Sequence, residues 1–421
     1  MAIEVKSFKG ITYNRDKVDI EKVVTPPYDV INSEEQESFY KKSEYNIIRL
    51  ILGKEKKDDD GNNNRYTRAR EFFKLWLKNK ILIKDNEECL YYLEEKFNYN
   101  GKDFTRQGFI GILKLEEFEK GNIVPHEKTL KGPKKDRFNL MLETKANFSQ
   151  IFGLYSDKDL KINSILAGGI KDNEKYFSFF YDKIKYDFWK INRKEIITQV
   201  IENIKDKKIF IADGHHRYET ALMFRDYMRK KINAEPDKDY PFDYVMMYFC
   251  PMEEEGLLVL PTHRLLKNVN LDNFFEKANK FFIIEKTDLK IKDNLKIGQF
   301  LFFNGTDFFL FKLKQEFFDN SKLDVEILED LIFKECLKIT DEDISTKSKV
   351  DFIKDEYKGI ELVKDGKYNG IFILHPPIIE KVREISLKRG VLPQKSTYFY
   401  PKLLTGLVIY SLEWTNNSWT I

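Results

Sequence analysis

Cysteine is scarce in this sequence. The three present, Cys89, Cys250 and Cys336, are widely spaced and odd in number, which argues against a disulfide framework and offers no zinc spacing. Long apolar runs are missing too. None approaches the ~20 residues of a membrane span, and Met1 to Lys6 lack the apolar core of a signal peptide. The expected location is the cytoplasm, with no membrane partner. Neither sign of charge dominates: Lys and Arg total 72 against 69 Asp and Glu. That balance argues against nucleic acid as a partner, because such proteins usually carry a plainly basic domain. A Walker-type glycine loop, a Gly-x-Ser-x-Gly elbow and a His-x-x-x-His pair are all lacking. Histidine is rare, with five in the chain, so two side by side stand out.

What is present is the composition of a soluble globular protein, 42% hydrophobic and 33% charged. A chain of 421 residues has room for about two or three domains. Thr25 to Ile31 carry paired prolines, which set a turn or extended backbone. Ser33 reads as an N-cap, with Gln36 closing a capping box. Residues 65–79 read as a helix burying Phe72, Phe73, Trp76 and Leu77. Residues 90–97 and 108–115 read as strands, 120–137 as a polar loop, 138–147 as a helix and 151–155 as a strand. A strand and helix occupy about 207–231. Residues 245–249 and 257–260 read as two buried strands joined by an acidic turn. Phe300 to Phe303 and Phe308 to Lys312 read as a hairpin around Asn304-Gly305, and a strand is expected from Gly370 to Leu374. With no internal repeat, this mixture predicts an α+β or mixed α/β fold.

The densest chemistry lies in Asp213-Gly214-His215-His216-Arg217. An apolar strand, Ile209 to Ala212, ends there and a helical stretch begins. Backbone N–H groups at a helix start attract anions. Arg217 adds a fork of donors, and His215 and His216 add more. Asp213 could hold a metal or orient a histidine; the plain alternative is that it caps the helix. Next come Pro125-His126-Glu127-Lys128-Thr129 and the basic residues to Arg137, where Glu127 between an imidazole and an ammonium suits a general base or metal ligand. Taken alone, that stretch equally suits a solvated surface loop. Thr262, His263 and Arg264 repeat the His-Arg chemistry past a buried strand, against an ordinary strand-end loop. Lys395, Ser396 and Thr397 offer an ammonium and two hydroxyls for phosphate. His375 before Pro376 reads as structural. Zinc on His126, His215, His216 and His263 with Glu127 and Asp213 is a weaker reading, since adjacent histidines share no helix face.

Six segments in order resemble a known family, the domain of unknown function 1015. They are Thr25 to Ile31, Pro125 to Thr129, Asn147 to Tyr155, Ala212 to Ala221, Leu260 to Arg264, and Lys395 to Lys402. More distantly, the Asp-Gly-His-His-Arg turn and its helix are similar to the phosphate-binding turn of the ParB and sulfiredoxin superfamily. Members bind nucleotides there, and some phosphorylate free L-serine with a separate glutamate as base. This resemblance implies a ParB/sulfiredoxin-like core with large elaborations over 1–265. A C-terminal α/β region, 266–421, is expected to pack on the same site.

The resulting expectation is a phosphotransferase acting on free L-serine or O-phosphoserine, with ATP, ADP or pyrophosphate as donor. Glu127, Asp213 and His216 are the expected catalytic residues, Glu127 as base. His126, Lys128, Arg137, Gly214, His215, Arg217, Thr262, His263, Arg264, Lys395, Ser396 and Thr397 are expected to hold phosphate or substrate. Mg²⁺ is expected on Asp213 and the phosphate oxygens, with no organic cofactor. A phosphoserine phosphatase in the same pocket is the enzyme alternative, and a nucleotide-dependent DNA-binding protein of ParB type the non-enzyme one. The sequence leaves oligomeric state open.

Overall fold

Asn100-Gly101 is the tightest signal for strand pairing in the chain, because both residues tolerate the positive φ that a two-residue hairpin needs. In the computed structural model they have φ of 50° and 79° and join two long strands. The structure describes residues 2–127, 131–171, 173–389 and 396–413. Among these the chain divides into two compact units. Met1–Pro125, Thr129–Leu257 and Pro401–Ile421 form the first; His126–Lys128 and Leu258–Tyr400 form the second.

The first unit is built on a nine-stranded mixed sheet. Its strands are β1 (Val5–Lys6), β2 (Leu90–Tyr99), β3 (Lys102–Lys114), β4 (Ile123–Val124), β5 (Ile151–Tyr155), β6 (Phe177–Tyr181), β7 (Ile184–Ile191), β8 (Ile209–Asp213) and β9 (Tyr244–Pro251). They lie in the order β4-β8-β5-β9-β3-β2-β7-β6, with β1 paired to β3. The pairs β8 with β4 and β9 with β5 are parallel. Strand β9 is buried at every position, the pattern of a central strand covered on both faces. The helices are α1 (Ser33–Lys42), α2 (Arg65–Lys78), α3 (Lys131–Thr144), α4 (Lys161–Ile170), α5 (Lys194–Ile204) and α6 (His215–Lys231). The expected mixed α/β class is what the structure has. None of the described helices is long and apolar enough to cross a membrane.

Several local expectations shift. The capping box before α1 is one residue earlier than expected: the Asn32 side chain accepts from Glu35 N–H and the Glu35 carboxylate accepts from Asn32 N–H. In α2, Phe73 and Trp76 are buried, while Phe72 and Leu77 are half-buried. Part of the polar 120–137 stretch is not loop. Ile123–Val124 adds a strand, and α3 begins at Lys131, not 138. Pro133 is compatible with that start because first-turn N–H groups have no intrahelical acceptor to lose. Strand β3 begins at Lys102, six residues ahead of the expected 108, since the Asn-Gly turn carries the pairing to its tip.

In the second unit the strands are β10 (Leu258–Leu260), β11 (His263–Leu266), β12 (Phe282–Thr287), β13 (Gln299–Phe303), β14 (Phe308–Leu313), β15 (Val350–Ile353), β16 (Gly370–Leu374) and β17 (Tyr398–Tyr400). Six form an antiparallel sheet in the order β12-β14-β13-β16-β11-β15. The β13–β14 hairpin turns at Gly305, with φ 100°, and Asn304 Oδ1 accepts from the N–H groups of Thr306 and Asp307. One face packs a phenylalanine cluster around Phe274, Phe302, Phe311 and Phe372. The other carries Leu301, Ile371 and α7 (Glu356–Lys364). Strand β10 does not form the expected buried pair with the strand before it. It is half-buried and pairs with β17, 138 residues downstream by the register Leu260↔Tyr398.

Candidate functional site

The Asp213 turn is shaped by a break in β8. Its register against β5 shifts between Ile211 and Asp213, and such a bulge re-aims the side chain that follows it. Gly214 then takes φ 95°, a left-handed conformation open chiefly to glycine. Helix α6 starts at His215 with no side-chain cap, so Asp213 is not the cap. Its carboxylate bridges two cations instead. Oδ2 accepts from Arg217 Nη2 at 2.8 Å, and Oδ1 accepts from Lys402 Nζ at 2.7 Å. Arg217 also donates to the backbone carbonyl of Gln150. Tyr218, fully buried, anchors the helix by donating to the Glu116 carbonyl at 2.9 Å. His215 is buried and His216 half-buried.

Gly214→Ala tests this geometry. A Cβ there would lie 2.9 Å from the Arg217 guanidinium, which must then swing away from Asp213. The left-handed backbone adds about 1–2 kcal/mol of strain. Thermal unfolding should shift down by the corresponding amount; an unchanged melting temperature would refute the strained turn.

Arg137 belongs to the same unit. It is buried, pairs with Asp136 and stacks 3.8 Å from the Tyr28 ring. Tyr28, Arg137, Asn147, Ser149 and Arg217 share the wall of one cleft. Burial raises the Tyr28 phenol pKa, and the fields of Arg137 and Arg217 oppose that rise. Three of the six family-like segments therefore meet here, around 28, 147–149 and 217.

The second unit gathers a different set. His126 Nε2 lies 3.0 Å from Thr397 Oγ1, and Ser396 is buried. His263 is interior: its Nδ1 accepts from Leu374 N–H at 3.2 Å, and Nε2 lies 3.8 Å from Glu356. Burial lowers its pKa. Arg264 is fully buried, donates to the Thr262 carbonyl and lies 4.0 Å from Glu329. Burial pushes its pKa down to about 10, against the fields of Glu329 and Glu127. His263 and Arg264 sit on β11 between β15 and β16. To act as phosphate ligands, as expected, they would have to give up these interior partners. Lys128 and Lys395 lie outside the described residues.

Glu329 is the second residue of the π-helix Leu328–Cys336. It is 7% exposed, and burial pushes its carboxyl up to about 7 despite Arg264. An acid whose folded pKa lies above its unfolded value holds its proton more tightly when folded. Its contribution therefore declines as pH rises from about 4.5 through about 7, by about 3 kcal/mol in total. Glu329→Gln lacks that decline. Its melting temperature should gain on the wild type between pH 4.5 and 8, and a constant difference across that range would contradict the shift.

A family model described as "Protein of unknown function (DUF1015)" matches residues 5–331. The chain belongs to this family. No curated protein matches the sequence. Among solved structures, a conserved hypothetical protein from Pyrococcus furiosus is similar at 13% identity, TM-score 0.34, over 66% of this chain and 87% of that one. A free serine kinase in complex with AMP is similar at 14% identity, TM-score 0.34, over 66% and 84%. SbnI from Staphylococcus aureus, with a C-terminal truncation, is similar at 9% identity, TM-score 0.33, over 68% and 82%. At these TM-scores the site's own chemistry, not these neighbours, carries the functional reading.

In this DUF1015 protein Asp213 does not fit the role of a Mg²⁺ ligand. Both its oxygens already accept from cations, and an entering metal would have to displace Arg217 and Lys402. Among the described residues no group of three His, Cys, Asp or Glu side chains could hold a metal ion, so zinc finds no site there either. Two residues of this candidate site escaped the sequence reading. Lys402 stood at the end of a family-like segment, but nothing local tied it to Asp213. Tyr28 lay in a segment read only for its prolines.

Proposed function

We propose that the chain is a phosphotransferase that transfers phosphoryl between a phosphate donor and free L-serine or O-phosphoserine. The observation that carries this reading is the start of α6 with Arg217 and Lys402 held on one carboxylate beside it. First-turn N–H groups and two cations make a cradle for a phosphate. Asp213 offsets the cations until an anion enters, so it acts as a positioning residue. A phosphate that takes over Arg217 and Lys402 loses little reorganisation energy, because both are already placed. Arg137 extends the positive wall along the cleft. His216, more exposed than His215, is the imidazole assigned to proton handling. The expected base, Glu127, falls in the other unit, and no step is assigned to it.

The resemblance of the Asp-Gly-His-His-Arg turn to that of free serine kinases supports serine as acceptor. The test incubates the purified chain with L-serine, Mg²⁺ and, separately, ATP, ADP or pyrophosphate. Phosphoserine should form with at least one donor. No phosphoserine with any of them overturns the kinase reading, and serine released from phosphoserine without an acceptor marks a phosphatase instead.

A further inference from the structure

The second unit has a cleft of its own, walled by apolar residues such as Leu323, Val325 and Ile378. Three charged or titratable side chains are set into that wall: Asp324, His375 and Lys381. Asp324 is fixed in place. Its Oδ1 accepts from Gly298 N–H at 3.0 Å, and this bond leaves Oδ2 unused. Burial raises its carboxyl pKa, while the fields of Lys381 and His375 pull the other way.

This combination is selective. A bare phosphate or sulfate would meet Lys381 and His375 but leave the apolar wall uncovered and Asp324 without a cationic partner from the ligand. A hydrocarbon would bury against the walls but leave the charged groups desolvated and uncompensated. A ligand carrying one cation, one anion and an apolar group on a single carbon satisfies all three features. We propose that this cleft binds a free α-amino acid with an aliphatic side chain, its ammonium on Asp324, its carboxylate on Lys381 and His375, and its side chain against the apolar wall. The ligand's ammonium would also offset the burial of Asp324. The proposal stands apart from the phosphotransferase reading, since it concerns another cleft and needs no turnover.

Isothermal titration of the full chain with L-valine, L-leucine and L-isoleucine tests it. At least one should bind saturably. Asp324→Asn and Lys381→Met should each weaken that affinity at least tenfold. The corresponding deaminated acid and the amino-acid amide, each lacking one charge, should fail to bind. Lys381 is half-buried at the rim of the cleft, so Lys381→Met keeps the test decisive if Asp324→Asn disturbs folding by circular dichroism. Absence of binding by all three amino acids overturns the proposal. So does unchanged affinity in a folded variant, or equal binding of the deaminated acid.

Discussion

Arg217→Ala should weaken binding of the phosphate donor roughly 30- to 150-fold while leaving the protein folded. The magnitude follows from the kind of bond lost. A charge-assisted hydrogen bond from a guanidinium to phosphate contributes about 2–3 kcal/mol, and each 1.4 kcal/mol is about tenfold in affinity. Arg217 is well placed to make it. Its side chain is 13% exposed and held at 2.8 Å by Asp213, so little entropy remains to be lost on binding. The variant also gives up its bond to the Gln150 carbonyl, a loss of about 1 kcal/mol in stability. Arg217→Lys keeps the charge but not the two-pronged geometry, and should fall between wild type and alanine. Titration with pyrophosphate and with ADP reads the affinity. A folded Arg217→Ala protein that binds both donors as tightly as wild type would remove the turn from the phosphate site.

Arg106→Met should cost about 3–5 kcal/mol of stability, the largest effect expected from a substitution outside the turn. Arg106 and Glu95 face each other directly across β3 and β2, both at 0% exposure. Arg106 Nε donates to Glu95 Oε2 at 2.6 Å. The guanidinium lies 5.1 Å from the Phe152 ring and 6.0 Å from that of Tyr248, enclosed among aromatic side chains. Removing one partner leaves the other as a buried charge without compensation, which costs about that much. Replacing both is different: Glu95→Leu with Arg106→Met removes both desolvation costs and should recover most of the loss. Denaturant unfolding of the two single variants and the double variant gives the cycle. Additive losses would show that the pair is not coupled.

The parts of the fold legible from the chain are those set by neighbours in sequence. The β8-turn-α6 unit was visible because an apolar run, an Asp-Gly and a helical stretch follow one another directly. The Asn304-Gly305 hairpin was visible for the same reason. Asn100-Gly101 carries an equally local signal, just beyond the strand-like run that ends at Phe97. The β10–β17 pair could not be read at all, because its partners are more than a hundred residues apart and short. At β11 residue type did not tell placement. His263-Arg264 has the same chemistry as His216-Arg217, yet one pair lies inside an antiparallel sheet and the other at the start of a helix.

By itself the sequence determined the mixed α/β class, membership of its family and the strand-turn-helix around 213–217, since each rests on contiguous residues or on their order. Tertiary structure alone decided that Asp213 bridges Arg217 and Lys402, that Arg137 and Tyr28 share a wall with Arg217, and that His263 and Arg264 are interior. Those outcomes depend on which distant segments meet and what each buries. A side chain's charge says what it can bind, while only its surroundings say what it does bind.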